Sequence, residues 1–279
     1  MNRVRVILCG MTGFGNGALR GLLADPSVEV AGLVCPRPES APFPHYPCPK
    51  VYEEAARAGV RAFPGARLKD PAVQAELAAL APDLIVVASF RQIIPPGVIS
   101  LPRFGVINIH PSLLPRYRGA TPSVWAILNG EEETGVTIHF IDDERLDQGR
   151  IVGQRRLRIL PDEDDGSLRR RLAELESAMI AEAVAAVAAR PKASFPGQDE
   201  SQSSWFPMRG RQDTILDPAK PVEELRRRIR ANSPWPGALL IRDGAEIVVS
   251  GVEEGAGPAE ERTVTVSESG RTLRFLRAA

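Results

Sequence analysis

Two polar side chains, Asn108 and His110, close a strand-like run near the middle of the chain. Side chains alternate along a strand, so the amide and the imidazole project from the same face. Pro111 ends the run at once, and open α/β sheets bind their ligands at the carboxyl ends of such strands. An amide and an imidazole side by side at the end of a sheet are costly to bury without a purpose. A purely structural role, with Asn108 tying the loop and His110 satisfied at an edge, explains the two residues equally well.

A second polar segment, residues 137–149, runs from a strand-like stretch into an acidic loop. A carboxylate from this loop, placed beside an imidazole, would fix the tautomer of the ring and raise its basicity. Asp142, Asp143 and Glu144 are more typical of a solvated turn. His139 fits a core position as well as a site.

A glycine-rich loop, residues 10–17, follows the first strand-like run. Such a loop can pack a helix tightly on a strand, hold a substrate phosphate or bind NAD(P). The glycine spacing departs from GxGxxG, and no carboxylate ends the second strand to hold a ribose, although Arg37 could meet a 2′-phosphate. Close packing is therefore the interpretation that the spacing favours.

The elements that must position these residues alternate between strand and helix over the first 190 residues. Strands are predicted at 4–9, 28–35, 60–63, 84–88, 106–109 and 136–141, and helices at 17–24, 52–58, 72–80 and 167–189. This alternation predicts an α/β fold with a Rossmann-like, mostly parallel twisted sheet and helices on both faces.

The composition changes after Pro191. Residues 191–204 are rich in Pro, Gly, Ser and Gln and predict a linker, and a short charged helix is predicted at 221–231. Four short strand-like runs, at 238–241, 247–250, 263–266 and 272–276, then predict a small β-rich, OB-like domain. The predicted units are a catalytic domain at 1–190, a linker at 191–204 and a C-terminal domain at 205–279.

Charge and composition narrow the class of protein. The 35 basic residues balance the 35 acidic ones, which argues against nucleic acid as the main partner. No apolar run approaches the ~18 residues of a membrane span, and the amino-terminal residues are unlike a signal peptide. The three cysteines, Cys9, Cys35 and Cys48, lack metal-ligand spacing and are interpreted as apolar fillers. A cytoplasmic protein without a metal is predicted.

One motif has a specific resemblance. The run Asn108-x-His110-x-Ser112-Leu113-Leu114-Pro115-x-x-Arg118-Gly119, followed by Leu146-Asp147-x-Gly149, resembles the folate-dependent formyltransferase family. The similarity covers about residues 1–190. Residues 198–202 and 234–238 are similar to the domain appended in the methionyl-tRNA and sugar-nucleotide members.

The resemblance implies a donor and a set of site residues. It implies N10-formyltetrahydrofolate as the co-substrate, no metal, and Asn108, His110 and Asp147 as the catalytic residues. The residues expected to hold the pterin are Phe90, Gln92, Ile93, Ile94, Phe140, Asp142 and Asp143. The residues expected near the acceptor are Met11, Thr12, Gly13, Arg116 and Thr137.

The acceptor is predicted from a difference between this sequence and the family members that act on methionyl-tRNA. Members that act on methionyl-tRNA usually carry a basic GRGxK-type insert after the second strand, whereas residues 36–50 here hold two basic residues and six prolines. This favours a small-molecule amine, either a sugar nucleotide or an amino-acid-like compound, with methionyl-tRNA as the alternative. The proline-rich loop is interpreted as a stiff surface loop, and a lid or a partner surface is the other interpretation.

Other classes of protein remain as alternatives. One is an NADP-dependent oxidoreductase that uses the loop at 10–17. Another is a non-catalytic folate-binding or regulatory module. The assembly considered is a homodimer.

Overall fold

A seven-stranded sheet forms the larger part of the computed structural model, which describes residues 3–37, 46–255, 263–268 and 271–278. The strands of this part are β1 (Val4–Gly10), β2 (Val28–Cys35), β3 (Ala62–Pro64), β4 (Leu84–Ala88), β5 (Val106–His110), the short β6 (Arg118–Gly119), β7 (Glu133–Ile141) and β8 (Ile151–Arg158). The order across the sheet is β3-β2-β1-β4-β5-β7-β8.

Most of this sheet is parallel. Strands β3, β2, β1, β4 and β5 pair in parallel, and β7 and β8 add antiparallel edges beyond β5. The continuous apolar runs of β1 and β4 are buried on both faces, as expected for central strands of such a sheet. The predicted α/β fold is confirmed.

Helices cover both faces of the sheet. They are α1 (Phe14–Ala24), α2 (Val51–Arg57), α3 (Pro71–Ala79), α4 (Pro96–Ile99), α5 (Pro122–Leu128) and α6 (Asp165–Ala189). Helices α1, α2, α5 and α6 pack over one face, in a core that includes Ile107 and Ile109 of β5. Helices α3 and α4 pack over the other face, in a core that includes Val106. The site described below lies on this second face, because Asn108 and His110 alternate with Ile107 and Ile109.

The glycine-rich loop and the start of α1 are packed too closely for larger residues. A Cβ on Gly10 would lie 3.1 Å from the Cα of Gly15, where β1 meets α1. A Cβ on Gly17 would clash with the carbonyl oxygen of Ala173, and one on Gly21 with that of Ser177, where α1 crosses α6. Close packing of backbone on backbone therefore accounts for these glycines.

A smaller β-rich part follows. Its elements are β9 (Trp205–Phe206), β10 (Ile215–Leu216), α7 (Val222–Ala231), β11 (Ala238–Arg242), β12 (Ala245–Glu254), β13 (Thr263–Glu268) and β14 (Arg271–Arg277). Five of these strands form a sheet in the order β10-β11-β12-β14-β13, with a core of its own that includes Leu225 and Phe275. The prediction of a small C-terminal β-rich part is confirmed, whereas the boundaries at 190 and 204 stay predictions.

Several predicted elements differ from those observed. Helix α1 begins at Phe14 instead of residue 17, because Gly13 caps it with a positive φ of 107°. Strand β3 lies at 62–64, not 60–63. The prediction has no strand at the position of β8. This strand lies at an exposed edge of the sheet, and its polar and charged residues weaken the apolar pattern from which strands are predicted. Most of the proline-rich loop, residues 38–45, lies outside the described residues. Within the described ranges, no helix has both the length and the apolar character needed to cross a membrane.

Candidate active site

The antiparallel pairing of β5 with β7 creates a row of polar side chains. Asn108 lies opposite His139, and His110 lies opposite Thr137. Directly paired residues project from the same face of a sheet, so all four side chains meet there. His110, Thr137 and His139 are buried, and Asn108 is half-buried.

Asp147 joins this row from the loop after β7. Its Oδ1 atom lies 3.3 Å from Nδ2 of Asn108 and 3.5 Å from both Nδ1 of His110 and Nε2 of His139. Its Oδ2 atom accepts the backbone N–H of Gly119 at 2.9 Å. The structure thus brings the three predicted catalytic residues together within hydrogen-bonding or near-contact distance.

The backbone partners of the two histidines define their tautomers. Nε2 of His110 lies 2.8 Å from the carbonyl oxygen of Tyr117, and a carbonyl can only accept, so Nε2 carries a hydrogen. Nδ1 of His139 donates in the same way to the carbonyl oxygen of Phe140 at 2.9 Å. Nε2 of His139 lies 3.1 Å from Nδ2 of Asn108.

Burial and neighbouring charges set the protonation of the cluster. Burial lowers the pKa of His110, and the charge of Asp147 and the carbonyl of Tyr117 oppose this only in part. Burial alone would raise the pKa of Asp147, but His110, His139 and the Gly119 N–H outweigh it and hold that pKa well below its usual range. Asp147 is therefore an ionised carboxylate at neutral pH.

Thr137, predicted to lie near the acceptor, is fully buried, and its hydroxyl binds the loop that follows β5. Its hydroxyl donates to the carbonyl oxygen of Ser112 at 2.7 Å and accepts from the N–H of Leu114 at 3.1 Å. The side chain of Gln154 also donates to it, at 2.8 Å. These bonds fix the Ser-Leu-Leu-Pro segment behind His110.

The residues predicted to hold the pterin after β4 play different parts. Gln92 is bound within the protein, since its side chain accepts from the N–H of Leu68 at 2.9 Å and donates to the carbonyl of Ala66 at 2.8 Å. Ile94 is buried, Phe90 is half-buried, and Ile93 is 49% exposed. The backbone N–H groups of residues 90–94 donate to no described residue, so this stretch offers main-chain groups beside apolar side chains.

The residues predicted to hold the pterin at the end of β7 and just after it mostly contact other residues of the protein. The Phe140 ring is buried against Phe195, with ring centroids 5.3 Å apart, so only its main chain borders the site. Asp142 forms an ion pair with Lys192. Asp143 accepts from the N–H and the Nε of Arg145 at 2.8 and 2.9 Å.

The other residues predicted near the acceptor are buried or form hydrogen bonds or ion pairs within the protein. Met11 is buried, and the hydroxyl of Thr12 accepts from the N–H of Val51 at 3.2 Å. The N–H of Gly13 donates to Oδ1 of Asn16 at 2.8 Å. Arg116 is exposed and forms an ion pair with Glu131.

Gln198 is a site residue that the sequence interpretation missed. Its Nε2 donates to the carbonyl oxygens of Asp147 and Gly149 at 2.8 and 2.9 Å. Its Oε1 accepts from Nε and Nη2 of Arg118 at 3.1 and 2.7 Å. The Gln-Asp-Glu-Ser-Gln motif at 198–202 was the signal, but it pointed to the C-terminal domain and not to the site.

The thiols do not supply a nucleophile at this cluster. Burial raises the pKa of Cys9 to about 12 and that of Cys35 to about 11. Cys48 lies beside Asn16, 3.8 Å from its Oδ1 atom. Among the described residues, no group of three or more His, Cys, Asp or Glu side chains could hold a metal ion.

Comparison with known proteins gives the same family from two directions. A family model described as Formyl transferase matches residues 33–184. The methionyl-tRNA formyltransferase of Roseiflexus sp. (strain RS-1) is 38% identical over 248 residues, which cover 88% of this chain and 75% of that protein. The protein of the same name from Trichlorobacter lovleyi is 37% identical, over 91% of this chain and 80% of that protein.

Solved structures share the fold at lower identity. WlaRD, described as a sugar 3N-formyl transferase in the presence of dTDP and 5-N-formyl-THF, matches with a TM-score of 0.70 and 18% identity, over 99% of this chain and 98% of that one. The N-formyltransferase of Helicobacter canadensis, in complex with folinic acid and dTDP-3-aminofucose, matches all of both chains with a TM-score of 0.70 and 16% identity. Since the family model matches more than half of the chain and curated relatives are over 30% identical across most of it, the chain belongs to the formyl transferase family.

Proposed function

We propose that the protein moves a formyl group from N10-formyltetrahydrofolate directly to a primary amine of a small molecule. The observation that carries the proposal is the cluster of Asn108, His110 and ionised Asp147 at the carboxyl end of β5. Such a cluster provides hydrogen-bond donors for a developing oxyanion and a base for an amine proton.

The residues after β4 fit a folate donor. A pterin is a flat ring with hydrogen-bonding groups on its edge. Residues 90–94 offer backbone N–H groups without a described protein partner, next to the apolar side chains of Phe90 and Ile93. The bound Gln92 side chain holds this stretch in place from behind. The folate supplies the formyl group, and the chain supplies orientation, donors and a base.

Asn108 and His110 act on the formyl oxygen in this proposal. The two hydrogen bonds of Asn108 Nδ2, at 3.1 and 3.3 Å, are longer than the usual 2.9–3.0 Å, so an incoming oxygen can compete for these hydrogens. Nδ1 of His110, the nitrogen that faces Asp147, would carry a hydrogen for this oxygen only after it takes up a proton, because burial lowers the pKa of His110. A few kcal/mol of transition-state stabilisation is typical of such donors.

Asp147 orients His110 and accepts a proton from the attacking amine, directly or through a water molecule. That proton passes to N10 as the bond between N10 and the formyl carbon breaks and tetrahydrofolate leaves. Its depressed pKa keeps it ionised, and the same low pKa means that it holds the proton only briefly before passing it on. No covalent enzyme intermediate is needed, because Cys9 and Cys35 are buried thiols with raised pKa values and Ser112 donates its hydroxyl to the carbonyl of Arg116.

A small acceptor is supported by charge. Residues 36–50, where a basic insert would lie, carry only two basic residues, and the chain has no net charge. A sugar-nucleotide amine or an amino-acid-like amine is therefore the proposed acceptor.

Methionyl-tRNA is the second candidate acceptor. The observation in its favour is sequence identity, which reaches 38% with a methionyl-tRNA formyltransferase against 16–18% with the two sugar-type structures. A tRNA acceptor would bind through phosphate contacts, so its affinity would fall steeply with salt.

The test is a formyl-transfer assay on the purified protein. N10-formyltetrahydrofolate would be supplied with aminosugar nucleotides, amino acids or methionyl-tRNA, and the formylated product identified by mass spectrometry. Turnover of a small amine supports the proposal, and turnover of methionyl-tRNA alone replaces it with the second candidate. Binding of the folate without turnover of any amine would favour a non-catalytic folate-binding module. If nicotinamide fluorescence shows that NADPH binds and the folate does not bind, the oxidoreductase alternative would be favoured.

A further inference from the structure

Residues 198–206, which follow α6, run along the loop after β5, residues 111–120, and form hydrogen bonds with it. The N–H groups of Tyr117 and Arg118 donate to the hydroxyl and the carbonyl of Ser204, both at 2.9 Å. Strand β9 then pairs in parallel with β6, and the N–H of Ala120 donates to the carbonyl of Phe206 at 3.0 Å. This segment is therefore part of the wall of the site.

Gln198 contacts the main chain on both sides of residue 148. Its two Nε2 hydrogens are used by the carbonyl oxygens of Asp147 and Gly149, at 2.8 and 2.9 Å. Its Oε1 is used by Arg118, a side chain that is itself held by both carboxylate oxygens of Glu200. With a donor pair and an acceptor all engaged, the amide of Gln198 has one orientation.

The main chain at Asp147 needs such support. Asp147 has a φ of 57°, in the left-handed region that side chains with a Cβ rarely adopt. Residues in that region persist where surrounding contacts over-determine them, and they concentrate at functional sites. Gly149, two residues on, has no room for a Cβ, which would overlap the carbonyl of Phe140.

We propose that Gln198 is a positioning residue, which holds the backbone of Asp147 so that its carboxylate stays against His110 and Gly119. This inference rests on the proposed function, since it concerns the placing of its base. Gln198 contacts the carbonyl of Asp147 and not its carboxylate, so it acts through Asp147. The segment predicted to be a plain linker thereby completes the catalytic geometry.

Two substitutions separate this role from simple packing. Q198M keeps the length of the side chain and removes the amide. Q198E keeps an acceptor for Arg118 but replaces the two Nε2–H donors with an oxygen that repels the carbonyls of Asp147 and Gly149. A residue that only supports Arg118 would tolerate Q198E, whereas a positioning residue for Asp147 would not.

The kinetic test compares these variants with the matched control Q202A. Gln202 lies in the same segment, is exposed, and among the described residues its side chain donates to Asp199 alone, at 2.7 Å. We expect Q198M and Q198E each to lower kcat about 10–100-fold with KM for both substrates little changed, because small displacements of a catalytic group cost factors of this size. Q202A should match the wild type.

A second readout does not require turnover. The chain has three histidines, so the ring nitrogens of His110 can be followed by nitrogen NMR during a pH titration. Burial lowers the pKa of His110, and the charge of Asp147 opposes that lowering. Loss of Gln198 should therefore move the His110 titration to lower pH in Q198M, but not in Q202A. Q198E is left to the kinetic test, because its own negative charge opposes that shift.

The outcomes distinguish the two levels of inference. If the wild type and Q202A transfer no formyl group, the proposed function fails, and the His110 titration still reports whether Gln198 positions Asp147. Wild-type kcat in Q198E together with an unmoved His110 titration in Q198M would overturn the positioning role.

Discussion

His110 donates its Nε2 hydrogen to the carbonyl oxygen of Tyr117 across 2.8 Å. That bond commits one ring nitrogen to the loop and leaves Nδ1 facing Asp147 at 3.5 Å. Proton exchange at this imidazole is therefore confined to Nδ1. The loop that carries Tyr117 is in turn fixed by Ser204 and by the stacking of Phe206 on the Tyr117 ring, with centroids 4.9 Å apart.

Replacing His110 tests this division of labour between its nitrogens. H110Q keeps an N–H donor for the Tyr117 carbonyl and removes the nitrogen that faces Asp147. We expect kcat to fall by about 10²–10⁴, the usual contribution of a general acid or base, with little change in KM. Steady-state kinetics with I109V as the control would check this, since Ile109 faces the opposite core. Wild-type turnover in H110Q would show that Nδ1 is not used.

Trp205 is expected to contact the acceptor. Its indole is 59% exposed, and a Cβ on Gly119 would lie 3.0 Å from its Nε1, so the ring covers the glycine whose N–H holds Asp147. W205A should raise the acceptor KM by about 3–10-fold, the value of one aromatic contact of ~1 kcal/mol, and leave the folate KM unchanged.

The matched control for this prediction is W235A. Trp235 is 58% exposed and lies under Arg209, with 5.5 Å from the guanidinium to the ring centroid. Its loss should leave the acceptor KM unchanged. Equal effects of W205A and W235A would remove the special role of Trp205.

Glu176 predicts a pH-dependent loss of stability. Its side chain is buried at the crossing of α1 and α6, Oε1 has no hydrogen-bond partner among the described residues, and burial raises its pKa well above the usual range. The unfolded carboxyl loses its proton near pH 4.3, about the ordinary value, while the folded one keeps it. The free energy of unfolding therefore falls as pH rises from that value through the folded pKa.

E176Q removes this term and should be more stable than the wild type near pH 8. We expect Tm values that coincide near pH 4 and separate by a few degrees as the pH rises, at about 2–4 °C per kcal/mol for a chain of this size. Thermal unfolding from pH 4 to pH 8 would measure it. E182Q, at an exposed position on the same helix, should show no comparable divergence. Parallel curves for E176Q and the wild type would contradict the assignment.

The crossing of α1 and α6 should not tolerate a methyl group. G17A would place a Cβ against the carbonyl of Ala173, so one helix backbone must move. We expect a loss of about 1–3 kcal/mol, as for other overpacked cores. G153A is the control, because nothing lies within 4 Å of its added Cβ. Denaturant unfolding that finds the two variants equally stable would refute the close approach.

The sequence predicted the elements with strong apolar signals. Residues 28–35 and 84–88 are strands with the predicted bounds, because short segments rich in Val, Leu and Ile strongly favour strands. Strand β8 was missed, since its alternation of charged and apolar residues is weak. Short helices such as α4 carry too few residues for a periodic pattern.

The site was predictable where the signal is local. Alternation along β5 placed Asn108 and His110 on one face, and the structure confirms that placement. Asp147 came from the family resemblance, because no local rule brings a loop 37 residues later onto His110. Gln198 lies 51 residues beyond Asp147, and its role depends on long-range packing that a single sequence does not encode in a readable pattern.

The register of β5 and β7 also has a consequence for folding. Thr137 and His139 alternate on β7 with Val136, Ile138 and Phe140, which belong to the apolar core. A shift of the β7 register by one residue would exchange the two sets. The His139 imidazole would then face the apolar core, and the apolar side chains would face the polar site. Chains with this shifted register would thus be both inactive and unstable. The same alternation therefore favours the strand register that assembles the active site.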